Sequence, residues 1–133
     1  MRLFSVEEAN EALGVVRPLA ERLVVLGGLL RACQADSASL AAKVAGNGGA
    51  AAQILALREA ERQVAEHAHE VAEIIAELDD LGVQVKDIEL GLVDFPADRG
   101  GETVLLCWKA GEEAVRFWHG LEEGYAGRKP LPL

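Results

Sequence analysis

From Val6 onward, apolar residues recur three and four apart at Val6, Ala9, Leu13, Val16, Ala20, Leu23 and Leu30. That spacing gathers side chains onto one stripe of an α-helix and predicts a helix over residues 5–33. Ser5 is set to cap it, because its hydroxyl can accept from the Glu8 amide while the Glu8 carboxylate reaches back to the Ser5 amide. Phe4, just before the cap, is placed to staple against Ala9. Pro18 falls inside the stripe and removes one backbone donor, so a bend or a restart is expected there. Residues 34–49 end in Gly46-Asn-Gly-Gly49 and read as a mobile connector.

A second stripe, Leu57, Ala60, Val64, His67, Val71, Ile74 and Leu78, predicts a helix over residues 50–81, stopped by Gly82. Together the two form a long antiparallel helical hairpin over residues 5–81. After Gly82 the period shortens to two. Val83, Val85, Ile88, Leu90 and Leu92 alternate, and residues 103–108 form a second β-branched and apolar run, with a glycine-rich connector at 97–101 between them. The expected result is a β-hairpin. Glu112 and Glu113 after Gly111 suit a helix start, which predicts a short C-terminal helix over 112–119, ended by Gly120. Residues 122–133, with Pro130 and Pro132, read as an extended tail. The fold class is α+β: a helical hairpin over 5–81, a β-hairpin and short helix over 83–121, and the tail.

Length and composition bound this picture without changing it. With 133 residues, half of them apolar, the chain has enough material for one domain with a real core. The formal charge of −9 and the absence of a Lys or Arg stripe argue against nucleic acid as a partner. No apolar run is long and charge-free enough to span a bilayer, and the start, Met-Arg-Leu-Phe-Ser-Val-Glu-Glu, lacks the apolar core of a signal peptide, so a cytoplasmic protein with no membrane partner is expected. Cys33 and Cys107 form no paired-ligand motif and read as small buried apolar residues in a reducing compartment. Both faces of the second strand are apolar, Leu105 and Cys107 on one, Val104, Leu106 and Trp108 on the other. Helices should cover one face, and the C-terminal segment or a partner chain the other. A homodimer is the expected assembly, burying that face or forming a four-helix arrangement.

The last third concentrates unusual residues: Val85-Lys-Asp87, Gly91-Leu-Val-Asp-Phe-Pro96, Leu106-Cys-Trp108, Gly111-Glu112, Trp118-His119, Gly124-Tyr125 and Gly127-Arg128. With the start Phe4-Ser-x-Glu-Glu-Ala-Asn10, this string resembles the signature of a small prokaryotic family catalogued as domain of unknown function 2203. The resemblance covers both ends and most of the chain. It implies a short cytoplasmic protein with no assigned activity, so it transfers no catalytic residue.

The chemistry has to be argued position by position. Asp94 shares a strand face with Leu90 and Leu92, which forces a carboxylate into apolar surroundings where it needs a partner; Arg116 or Arg128 could serve, and so could a metal or a substrate. Glu112 can pair with Arg116 at four-residue spacing, or bind an ion with His119 on the same side of the expected helix. A ligand pocket built from Asp94, Glu112, His119 and Arg128, walled by Trp108 and Trp118, would combine an anion-binding guanidinium with acid and imidazole groups. If the C-terminal segment folds back over the second helix, His67, Glu70, Asp94, Glu112 and His119 would form a nitrogen and carboxylate set suited to zinc, manganese or iron. Glu66-x-x-His69 lies on the charged helix face and occurs once, unlike the inward, repeated pairs of di-iron bundles. No Gly-x-Ser-x-Gly or phosphate-cradling loop is present, so the sequence names no enzyme class. Two readings follow: an oligomeric interaction or structural module, and a small-ligand or divalent-metal-binding protein.

Overall fold

The predicted capping box forms. In the computed structural model, which describes residues 1–47 and 49–133, the Glu8 amide donates to Ser5 Oγ at 3.0 Å and the Ser5 amide donates to Glu8 Oε1 at 2.9 Å. Helix α1 then runs Val6–Asn47, through Pro18, and α2 runs Ala51–Asp80. The expected end of α1 near Cys33 and the connector over 34–49 are corrected. Residues 34–45 are rich in alanine, the strongest helix former, and this outweighs the loss of a clear apolar stripe. Gly48, part of the expected connector, lies outside the described residues. Among the described residues no helix is long and apolar enough to cross a membrane.

The expected β-hairpin is the centre of a larger sheet. Strands β1 (Gln84–Asp87), β2 (Leu92–Arg99), β3 (Glu102–Lys109), β4 (Phe117–Gly120) and β5 (Lys129–Pro130) form an antiparallel meander in the order β1-β2-β3-β4-β5. The connector between β2 and β3 tightens to Gly100 and Gly101, both at positive φ between the paired Arg99 and Glu102, as a two-residue hairpin loop with matching twist requires. The short C-terminal helix over 112–119 is corrected: residues 117–120 are β4, paired to β3 through Cys107↔Phe117, Leu106↔Trp118 and Leu105↔His119. One isolated helical turn gains little, whereas an aromatic run that pairs with β3 satisfies a row of backbone groups otherwise left at an edge. The tail is corrected in part, since it contains a 3-10 turn at Tyr125–Gly127 and then β5.

Two compact units form, residues 1–24 with 74–133, and residues 25–73. In the first, Phe4 meets the Phe95 ring edge-on at 5.2 Å, its amide donates to the Pro96 carbonyl, and Val93, Phe95, Val104, Leu106 and Trp108 are buried on that face of the sheet. Asn10 Oδ1 accepts from the Val115 amide, and Arg17 donates to the carbonyls of Glu112 and Glu113. The other sheet face, with Leu105 and Cys107, is also buried, and Leu121, Glu123, Gly124 and Tyr125 line a cavity against it. The chain's own C-terminal segment therefore lies on this face. In the second unit the Cys33 thiol contacts Gln63 Oε1 at 3.7 Å, and Arg62 bonds Glu59 and Glu66 along the exposed face.

Gly91, at φ 61°, is the tightest approach of the β1–β2 turn to α1: a Cβ there would lie 2.7 Å from Ala110 Cβ and 2.9 Å from Val24 Cγ2. Gly91→Ala should cost roughly 2–4 kcal/mol, from left-handed strain plus overpacking. Gly14, helical with open space where its Cβ would be, should gain up to about 1 kcal/mol on replacement by Ala. Urea unfolding midpoints of the two variants, moving in opposite directions, are the expected outcome.

Candidate functional site

Strand register brings three reactive side chains together. Asp94 pairs across β2–β3 with Cys107, and His119 lies opposite Leu105, two positions along β3 on the same face. Their ligand atoms all lie within 4.8 Å of one another, and all three residues are buried, Asp94 at 1% and His119 at 3% exposure. His119 Nδ1 is 2.8 Å from the Gly120 carbonyl. A carbonyl only accepts, so Nδ1 carries the proton and Nε2 is the nitrogen turned inward. Nε2 is 3.1 Å from both Asp94 oxygens, with hydrogen-bond geometry to Oδ1 alone; Oδ2 has no hydrogen-bond partner.

Burial governs the protonation of this cluster. It holds the Asp94 carboxyl above the ordinary range, against the opposing pull of His119, Lys86 and the Cys107 thiol. It pushes Cys107 up to about 11, helped by the Asp94 charge and opposed by Arg128. Arg128 lies 4.0 Å from Cys107 Sγ and makes a two-pronged bond to Glu112, Nη1 to Oε1 at 3.0 Å and Nη2 to Oε2 at 2.7 Å. For Glu112, burial acts to raise the pKa, but the bonds from Arg128 and the Lys109 amide outweigh it and hold the carboxyl below its ordinary value. A cavity of about 110 Å³ adjoins the cluster, lined by Lys86, Asp94, His119 and Tyr125 among others.

Of the residues singled out in the sequence, Asp94 and His119 meet each other. The partner of Asp94 is His119, rather than Arg116 or Arg128. Glu112 and Arg128 form the adjoining pair, and Arg116 instead contacts Glu113. Trp108 belongs to the opposite sheet face, where its Nε1 donates to the Glu112 carbonyl. His67 and Glu70 lie on α2 in the 25–73 unit. His67 Nδ1 is buried there without a hydrogen-bond partner, and His69 pairs with Glu73. Among the described residues, the one group of three ligands close enough for a shared ion is Asp94, Cys107 and His119. Cys107 alternates like its apolar neighbours, so the sequence does not mark it as a ligand; its place opposite Asp94 in the hairpin register does.

A family model described as "Uncharacterized conserved protein (DUF2203)" matches residues 2–131. No curated protein and no solved structure matches the chain.

The two carboxylates act on acid stability in opposite senses. Asp94 is raised, so its contribution is complete below its ordinary value of 3.8 and is lost as pH rises through the folded value. Glu112 is lowered, so its contribution is complete above 4.5 and is lost as pH falls through the folded value. With a chelator present, Asp94→Asn should gain on the parent as pH rises, while Glu112→Gln should close its deficit as pH falls. Urea midpoints measured across the acid and neutral range check this; curves parallel to the parent's would refute it.

Proposed function

Since the chain belongs to the DUF2203 family, whose description assigns no activity, we propose from its own site that it binds a divalent transition metal, zinc above all, through Asp94, Cys107 and His119. The observation that carries this reading is the meeting of a thiol, an imidazole nitrogen and a carboxylate, all buried, within 4.8 Å. Ligand atoms around one zinc sit closer than that, so the widest pair would draw in by on the order of 1 Å. The surroundings support it. His119 spends Nδ1–H on a backbone carbonyl, the arrangement that fixes a metal-binding histidine, and turns Nε2 toward Asp94 in the cluster. Arg128 stands beside the sulfur and favours the thiolate, while Glu112 fixes Arg128. Carboxylate, thiolate and a dication sum to zero charge, which relieves the cost of burying either anion alone.

A second reading, self-association, has its own observation. In the 25–73 unit Val25, Leu29 and Leu55 are exposed, Leu55 at 63%. Because the C-terminal segment lies on the strand face where a partner was also expected, we read the homodimer as a four-helix arrangement.

Tag-free protein should contain zinc by elemental analysis, and adding zinc to the stripped protein should raise its melting temperature by about 10 °C at a hundredfold excess over Kd. Asp94→Asn, Cys107→Ser and His119→Ala should each abolish that shift. If the parent shows no metal-dependent shift with zinc or manganese, the metal reading is wrong. For self-association, light scattering should give twice the chain mass, and Leu55→Glu should move the equilibrium to monomer; a monomer mass for the parent over a wide concentration range would exclude it.

A further inference from the structure

We infer that the metal site takes a small carboxylate, of about the size of acetate, in the cavity between Lys86 and the ion. This deepens the metal reading and rests on it. At about 30 Å³ per water, a cavity of about 110 Å³ holds three or four waters, or one molecule of a few heavy atoms.

The charges on its wall select the sign of that molecule. Glu123 is already engaged by Lys129 Nζ, at 2.7 and 2.9 Å, and by the Gly120 amide. Arg128 is neutralised by Glu112 behind the sulfur. Lys86, exposed on β1, lines this cavity together with Asp94 and acts on its carboxyl. Once Asp94 is committed to a cation, no carboxylate of this wall is left for Lys86, and an anion answers it. Lys86 reaches this position through a break in register: Val85 pairs with Val93 and Asp87 with Leu92, which leaves Lys86 as the extra residue of a bulge. Bulges re-aim a side chain in this way beside functional sites.

Lys109 Nζ donates to the Tyr125 oxygen at 3.1 Å, so the phenol's own hydrogen is left to give, and Tyr125 lines the cavity. Leu92, Leu105 and Leu121 supply the remaining wall. Apolar surface suits the short alkyl part of a carboxylate and disfavours phosphate, whose oxygens would all need donors.

Cobalt(II) in place of zinc tests this, because a thiolate bound to cobalt absorbs in the near ultraviolet. Acetate should perturb the cobalt spectrum saturably, beyond the effect of chloride at equal ionic strength, and phosphate should bind at least tenfold more weakly. Lys86→Met should keep the thiolate band and weaken acetate binding at least tenfold. A cobalt spectrum that forms normally but ignores acetate, or responds equally to phosphate, or responds equally in Lys86→Met, overturns the carboxylate inference and leaves the metal reading standing. Absence of the thiolate band in the parent overturns the metal reading, and this inference with it.

Discussion

Glu112 ties the first unit together through both its carboxylate and its carbonyl. The carboxylate accepts the Lys109 amide and both arms of Arg128, which joins the end of β3 to the segment that leads into β5. The carbonyl accepts from Trp108 Nε1 and from Arg17 on α1. One residue therefore fixes the exit of the central strand, a core tryptophan, the first helix and the C-terminal cover. The ion pair is only slightly exposed, so its partners are held rather than solvated, and removing one would leave a half-buried charge. Arg128 is in place beside Cys107 because Glu112 holds it there.

The cluster behind this tie runs against the usual economy of a core. A thiol, a carboxyl and an imidazole occupy positions where leucine would pack, and one carboxylate oxygen has no hydrogen-bond partner. Buried polar groups left incompletely satisfied are costly, and native proteins keep them where chemistry needs them. The same sheet has an ordinary core on its other face, with Val93, Phe95, Leu106 and Trp108. Polar placement is thus confined to the face that the C-terminal segment covers.

The sequence made the strongly periodic parts legible. The stripe from Ala9 to Leu23 is buried as its spacing predicts, the Ser5–Glu8 box forms, and β3 lies where the apolar run over 103–108 put it, whereas the alternation over 83–92 splits into β1, a turn and the start of β2. It misled where local preference and tertiary pairing diverge. Glu112 after Gly111 looks like a helix start, yet its carboxylate closes a turn on Lys109, and Phe117 to Gly120 pair with β3. Asp94 and His119 could be named as chemically loaded, but their meeting depends on a third strand that local pattern did not reveal. Cys107 was hidden for the opposite reason. A lone cysteine in an apolar strand carries no mark of its own, and only its register opposite Asp94 gives it one.

Every strand of the sheet is hydrogen-bonded to its neighbour in sequence. Such a meander closes only short loops, and the entropy of bringing distant chain together is correspondingly small. The two glycines between β2 and β3 hold the positive φ angles of a tight hairpin, so the contact between Asp94 and Cys107 belongs to the hairpin with the shortest loop in the sheet. His119 joins with the next strand along. The site is thus built from successively later stretches of chain: acid and thiol share the tightest hairpin, the imidazole belongs to β4, and the arginine that steadies the sulfur to the stretch that leads into β5.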